Sequence, residues 1–240
     1  MRTYGIELET SSISIPTAQS ALNAAGLNTW QAKYDGTGGV DAECVSPILT
    51  DESLNETLKA ARTLLRAGAT VNRQTGYHVH LGADQFGLNG IAATVRNWYT
   101  AADAIGALVA KSRLNNRYCK HDFTPAQIDS WTESIRNGNI DNRGANATRF
   151  VSLNLNAYSA HGTIEFRLHH GTLNGKKIQA WAEFVQAIAE YSTAGGILRA
   201  NTDAGRLNDC HHLLDVLAEN HLDIRTAEYL KQRAIELQTA

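Results

Sequence analysis

Cysteine, proline and methionine are scarce in this chain of 240 residues, which has three, three and one of them. The cysteines (Cys44, Cys119 and Cys210) are odd in number and far apart, with no C-x-x-C spacing. That excludes a disulfide framework and a zinc ribbon, and suits a reducing compartment. No apolar run approaches the roughly 18 residues that a membrane span needs. The opening MRTYGIELET has no apolar core and no cleavage signal of a secretory leader. Neither sign of charge dominates: 22 basic against 24 acidic residues leave no electrostatic footprint for nucleic acid or an anionic membrane. What is present is 43% apolar residues, over a length ample for a core without covalent staples. The expectation is a soluble, cytoplasmic globular protein.

Short alternating stretches predict strands at Thr3–Thr10, Val40–Leu49, Tyr77–Leu81, Phe150–Ala157 and Thr163–His169. Apolar residues recurring every three or four positions predict helices over Glu52–Ala67, Gly90–Ser112, Lys176–Thr193, Asp209–Glu219 and Thr226–Gln238, with a shorter one over Pro125–Asn137. Pro16 and Pro125 each stand where a helix can start. The order is not a regular βαβ alternation, so the expected class is α+β: a mostly antiparallel sheet with helices on one face and at the edges. After about Leu173 the pattern is nearly all helical. Leu213, Leu214, Leu217, Leu222 and Leu230 of that tail are expected to pack on the domain's own core, the alternative being a partner contact.

Three of the strands repeat one design. Each presents two polar or ionisable residues on one face, Glu7/Glu9, His78/His80 and Glu165/Arg167, and apolar residues on the other. A half-solvated strand carries charges routinely. Such a face is usually a mixture that includes lysine, whereas these three hold carboxylates, imidazoles and one guanidinium. If the faces line one hollow with Glu43 and Asp35, the carboxylates repel and require protons or cations. An oxygen-rich set with few imidazoles favours magnesium or manganese. Such ions beside an arginine suit phosphoryl transfer, with Arg167 offsetting the charge that develops. The expectation turns on Glu7, Glu9, Glu43 and Glu165 converging.

Other readings stay open on the residues alone. His78 and His80 also suit a zinc-dependent hydrolase, with His169, His170, His211 or His212 to supply a third donor, although the 211–212 pair lies in a helical stretch where a surface or core role is expected. The stretch Tyr34–Gly39 is glycine-rich but lacks the Lys-Ser/Thr and helix of a Walker loop, so a simple turn is as good an account. Cys44 and Cys119 sit in no nucleophile turn and are expected to be buried, and no G-x-S-x-G occurs.

The ordered blocks GIELE (5–9), YDGTGG…ECVSPIL (34–49), GYHVHLG (76–82), NNRYC (115–119), RFVSLNLNAY (149–158) and TIEFRLHHGTLN (163–174) resemble the amidoligase family, carboxylate–amine ligases related to γ-glutamylcysteine synthetase and glutamine synthetase. The resemblance spans about residues 4–190. It implies a curved, mostly antiparallel sheet forming a half-open funnel with helices outside. The expected organisation is an amidoligase-like catalytic domain over 1–193 with a helical extension over 194–240 packed on it. ATP and Mg²⁺ or Mn²⁺ are the implied cofactors. Glu7, Glu9, Asp35, Glu43, His78 and Glu165 would hold metal, and Arg167 would contact phosphate, with Glu165 and Arg167 as catalytic residues. Arg149, Asn154 and Asn156 would contact nucleotide or substrate. His80 matches the family's own motif without a role carried over from the synthetases. The implied reaction joins a small-molecule or peptide carboxylate to an amine through an acyl phosphate. A non-catalytic nucleotide-binding module is the other reading of the same motifs.

Overall fold

The computed structural model describes residues 3–36, 38–50, 54–199 and 204–239. Thr37 of the glycine-rich stretch, the expected helix start at Glu52 and positions 200–203 of the tail lie outside the described residues. The protein is α+β with an open antiparallel sheet, and the chain divides into two compact units: Met1–Gly82 with His169–Trp181, and Ala83–Leu168 with Ala182–Ala240.

In the first unit β1 (Thr3–Thr10) is central. It pairs antiparallel with β3 (Ala42–Val45), β4 (Leu49–Thr50) and β5 (Tyr77–Gly82), and β2 (Gln31–Lys33) pairs with the far side of β3. Residues directly opposite in an antiparallel pair share a face. One face is therefore layered from apolar partners: Tyr4 with Leu81 and Leu49, Ile6 with Val79, and Leu8 with Tyr77 and Cys44. All are buried, at roughly 1.5–3 kcal/mol for a fully enclosed aliphatic side chain. Helix α1 (Ile15–Ala24) starts at Ser14, whose hydroxyl accepts from Thr17 N–H, with Pro16 in its first turn. It packs on α2 (Leu54–Arg66) and on β2 and β3. Where β3 gives way to β4, Ser46 Oγ accepts from Ile6 N–H at 2.9 Å and donates to the Pro47 carbonyl at 2.7 Å. Ser46 N–H still donates to the Ile6 carbonyl at 2.9 Å, but the return bond goes to the side chain, and the expected single strand 40–49 is split in two.

The second unit is mainly helical: α3 (Gly87–Thr100), α4 (Ala102–Gly106), α5 (Lys111–Leu114), α6 (Pro125–Arg136), α7 (Ala157–His161), α9 (Arg206–Ala218) and α10 (Ile224–Thr239). Helix α8 (Gly175–Thr193) begins in the first unit and runs on into the second. The helix expected over 90–112 is broken into three. The chain leaves helical geometry at Ala101 (φ −91°, ψ 18°), and the Ala102 carbonyl is taken by His121. Farther on, a Cβ at Gly106 would lie 2.9 Å from Leu114, a close return that periodicity cannot register. Helix α6 opens on a capping box between Thr124 and Gln127, as Pro125 at its start suggests.

Strand β6 (Leu153–Asn154) pairs antiparallel with β7 (Thr163–Phe166), setting Leu153 against Phe166 and Asn154 against Glu165. The longer expected strand over 150–157 is cut short because its groups bond elsewhere. Val151 bridges Lys120, and Leu155 N–H goes to the Asn142 side chain. The core of this unit is aromatic, with Trp98 edge-on to Phe166 and Tyr99 stacked on Trp131. The tail leucines 213, 214, 217, 222 and 230 are buried, and α9 packs on α10 and α4. Cys44, Cys119 and Cys210 are free and buried.

Candidate functional site

The face of the first unit's sheet opposite the apolar layers carries the ionisable residues. Register places Glu7 across from His78, Glu9 across from Glu43, and Gly5 across from His80. His78 lies between two carboxylates, its Nδ1 2.9 Å from Glu7 Oε2 and its Nε2 3.4 Å from Glu9 Oε1. His80 Nε2 is 3.3 Å from Glu7 Oε1. Glu9, Glu43, His78 and His80 are buried, so these side chains do not form the water-facing side of a strand.

Ligand atoms of Glu7, Glu43 and His78 all lie within 4.8 Å of one another, and so do those of Glu9, Asp35 and Glu43. Glu43 belongs to both sets. Burial, then the charge of Glu7 and a hydrogen bond with it, push its carboxyl up to about 8, with Lys33 opposing and Asp35 reinforcing. For Glu7, burial pulls upward but is outweighed by hydrogen bonds from His78 and His80 and by their charge, leaving the carboxyl well below its ordinary range. The two acids thus differ in the way expected of carboxylates sharing a site, one ionised and its neighbour holding a proton. A cation is the other means of relieving that repulsion.

Two contributors were not legible beforehand. Strand β2 is three residues long, too short for any period, yet it sets Lys33 opposite Glu43 with Nζ 3.3 Å from Oε2. Gly76 precedes β5, and its N–H donates to Glu9 Oε2 at 2.5 Å. A Cβ on Gly76 would stand 2.7 Å from His78 Nε2 and 3.3 Å from Glu9 Oε2, so the backbone approaches the two ligands as only glycine permits.

Glu165, Arg167, Asn154, Asn156 and Arg149 belong to the second unit. Glu165 is buried, accepting from Arg167 Nη1 on one oxygen and from Asn154 Nδ2 at 2.6 Å on the other. Arg167 is half-buried, and its backbone is held from both directions. Its N–H donates to the Ser152 carbonyl at 2.7 Å, and its carbonyl accepts from Arg113 Nη2, also at 2.7 Å. Arg113 is itself buried and also donates to the Leu168 carbonyl at 3.1 Å. Asn156 is exposed, with its Oδ1 accepting from Asn142 N–H at 3.1 Å. Arg149 is exposed, its guanidinium 5.1 Å from the centre of the Phe150 ring.

The family model described as "Putative amidoligase enzyme" matches residues 27–189, about two thirds of the chain. The chain belongs to the amidoligase family. That name describes an enzyme of the ligase class. The amidoligase match contains every site residue of the ligase reading except Glu7 and Glu9, which the register of β1 brings to residues inside it. No curated protein matches the chain. Among the described residues, no helix of this amidoligase is long and apolar enough to cross a membrane.

Proposed function

We propose that this amidoligase is an ATP- and Mg²⁺-dependent ligase that joins a carboxylate to an amine through an acyl phosphate. The observation that carries the reading is the buried face on which Glu7, Glu9, Glu43 and His78 meet with Asp35. Its donor set fits a hard divalent ion: carboxylate oxygens predominate, one imidazole joins them, and burial with the neighbouring charge of Glu7 pushes the Glu43 carboxyl up to about 8, a cost that a cation would relieve. Glu7, Glu9, Asp35, Glu43 and His78 would hold Mg²⁺, or Mn²⁺ in its place; Glu165 is a metal-ligand candidate on the family resemblance. Bound there, the ion would supply positive charge to phosphate oxygens.

The chain's own groups do the positioning. Gly76 N–H fixes Glu9, and His78 and His80 keep Glu7 ionised, so the acceptor oxygens are oriented in advance. Arg167 would meet the phosphates and offset charge during transfer, its guanidinium oriented by Glu165. In the reaction, an oxygen of the substrate carboxylate bonds to the γ-phosphorus of ATP as the bond to the ADP oxygen breaks. The amine nitrogen then bonds to the acyl carbon, the carbon–oxygen bond to phosphate breaks, and the amine proton passes to a base. The substrates are a small-molecule or peptide carboxylate and an amine.

The test is phosphate release by purified protein with ATP and Mg²⁺ across a panel of amino acids, peptides and amines. Release that requires both acid and amine, and that falls by about 100-fold or more in Glu9→Gln and Arg167→Met, is expected. Release that ignores the amine, or variants equal to the wild type, would overturn the reading.

A further inference from the structure

Asn142 is fully buried in the second unit, just after α6, and nothing in the sequence singles it out. Its amide is tied to backbone at both ends. Oδ1 accepts from Leu155 N–H at 2.9 Å, and Nδ2 donates to the Thr148 carbonyl at 2.9 Å. A backbone donor and a backbone acceptor together decide which end is oxygen and which is nitrogen. The same Nδ2 donates to Asn154 Oδ1 at 2.6 Å, and Asn156 N–H donates to that oxygen at 3.0 Å. With its oxygen held by two donors, Asn154 must turn its nitrogen to Glu165 Oε2, 2.6 Å away. Arg167 donates to the other Glu165 oxygen. Polarity therefore passes in one direction, from fixed backbone groups through two amides to a carboxylate and then to a guanidinium.

We propose that Asn142 and Asn154 form a polarity relay whose task is to hold Glu165, and through it Arg167, in one orientation for the reaction. Both are positioning residues. Asn154 then acts through Glu165 rather than by touching nucleotide. The catalytic importance of the relay rests on the ligase reading, whereas its existence does not.

The alternative is that the amides merely pin the loop between α6 and β6. The two accounts differ for Asn154→Asp. That change keeps the volume and the oxygen that accepts from Asn142 and Asn156, but turns an oxygen instead of a nitrogen towards Glu165. Two facing buried carboxylates cost stability on either account, but only a relay also loses kcat in the protein that stays folded. Expected are a roughly 10- to 100-fold fall in kcat with KM for ATP within about twofold, and a loss at least as large as that of Asn154→Ala. Asn142→Ala combined with Asn154→Ala is expected to be no worse than the poorer single variant, because both act along one line.

A second readout needs no turnover: the Glu165 side-chain carboxyl ¹³C signal of the full chain, compared between wild type, Asn142→Ala and Asn154→Ala. The relay predicts that Asn142→Ala moves the signal in the same direction as Asn154→Ala. An unmoved signal in folded Asn142→Ala overturns the proposal, as does Asn154→Asp with wild-type kcat. Should Asn142→Ala not fold, the Asn154→Asp and Asn154→Ala pair decides alone, on the direction of the carboxyl signal and on kcat. If the signals move as expected but no substrate supports ATP turnover, the relay stands and the ligase reading falls.

Discussion

Gly76 is where the space around the first-unit ligands is tightest. Its missing side chain lets the backbone N–H reach Glu9 while His78 Nε2 occupies the volume a methyl group would take. Gly76→Ala must push His78 aside, since the Cβ would come within 2.7 Å of its ring nitrogen. We expect Mn²⁺ affinity to fall roughly 10- to 100-fold with cooperative unfolding retained, as for other losses of ligand support. Calorimetric titration of both proteins measures it, and equal affinities would refute the steric account. The residue scale is also where foresight from sequence was most uneven. Glu7, Glu9, Glu43, His78 and Glu165 stand out because carboxylates and imidazoles alternating with apolar residues are unusual on a strand. Gly76, Lys33, Arg113 and Asn142 do not, because their roles come from distances between remote segments and no local pattern marks them.

At the scale of elements, period served well where one side of an element met the core and failed where side chains captured backbone. The strand 3–10 and the helix expected over 176–193, observed as Gly175–Thr193, follow their apolar positions closely. The break after Asn154 follows from Asn142, whose side chain takes the Leu155 N–H that a continuous strand would use, while at Ala101 the backbone itself leaves helical geometry. His121 is buried. The Ala102 carbonyl accepts from its Nε2 at 2.9 Å, leaving Nδ1 to accept the Ser152 hydroxyl at 2.7 Å, whose oxygen in turn accepts from Trp98 Nε1. This arrangement needs a neutral ring. Burial depresses the imidazole from 6.5 to about 4, with the Ala102 bond and the charges of Asp122 and Asp103 opposing. Between those values the unfolded chain binds the proton and the folded one does not. The contribution is therefore complete above the ordinary value and is lost as pH falls through about 4, amounting to about 3 kcal/mol. Urea unfolding at stepped pH should show this acid limb in the wild type and a flatter one in His121→Gln. An unchanged limb would show that other groups cause it. A second prediction concerns the end of β7. Arg113→Met abandons two carbonyls, those of Arg167 and Leu168, and should cost about 2–3 kcal/mol in the same assay.

For the whole molecule, the composition indicated a core-forming protein without covalent staples, and the free cysteines with a layered apolar face agree. The division into units was not visible, because it depends on which distant segments meet: residues 169–181 join the amino-terminal part of the chain, not their neighbours in sequence. If the acidic face takes a divalent ion only when folded, the ion must stabilise the fold, by about 2.7 kcal/mol when present at about 100 times its Kd. Melting with Mg²⁺, with Mn²⁺ and after chelation should show this shift, and Glu43→Gln should remove most of it. A chelator-insensitive melting curve would count against a bound cation.

The enclosed thiols have a practical consequence. Cys44 lies in β3 of the first unit, while Cys119 and Cys210 lie in the second. Burial pushes Cys44 and Cys210 up to about 12, so neither offers a reactive thiolate while its surroundings stay shut. An alkylating reagent added in pulses would then act as a clock on local opening. Mass spectrometry of the tagged peptides would show which half of the chain breathes first, with no engineered probe required.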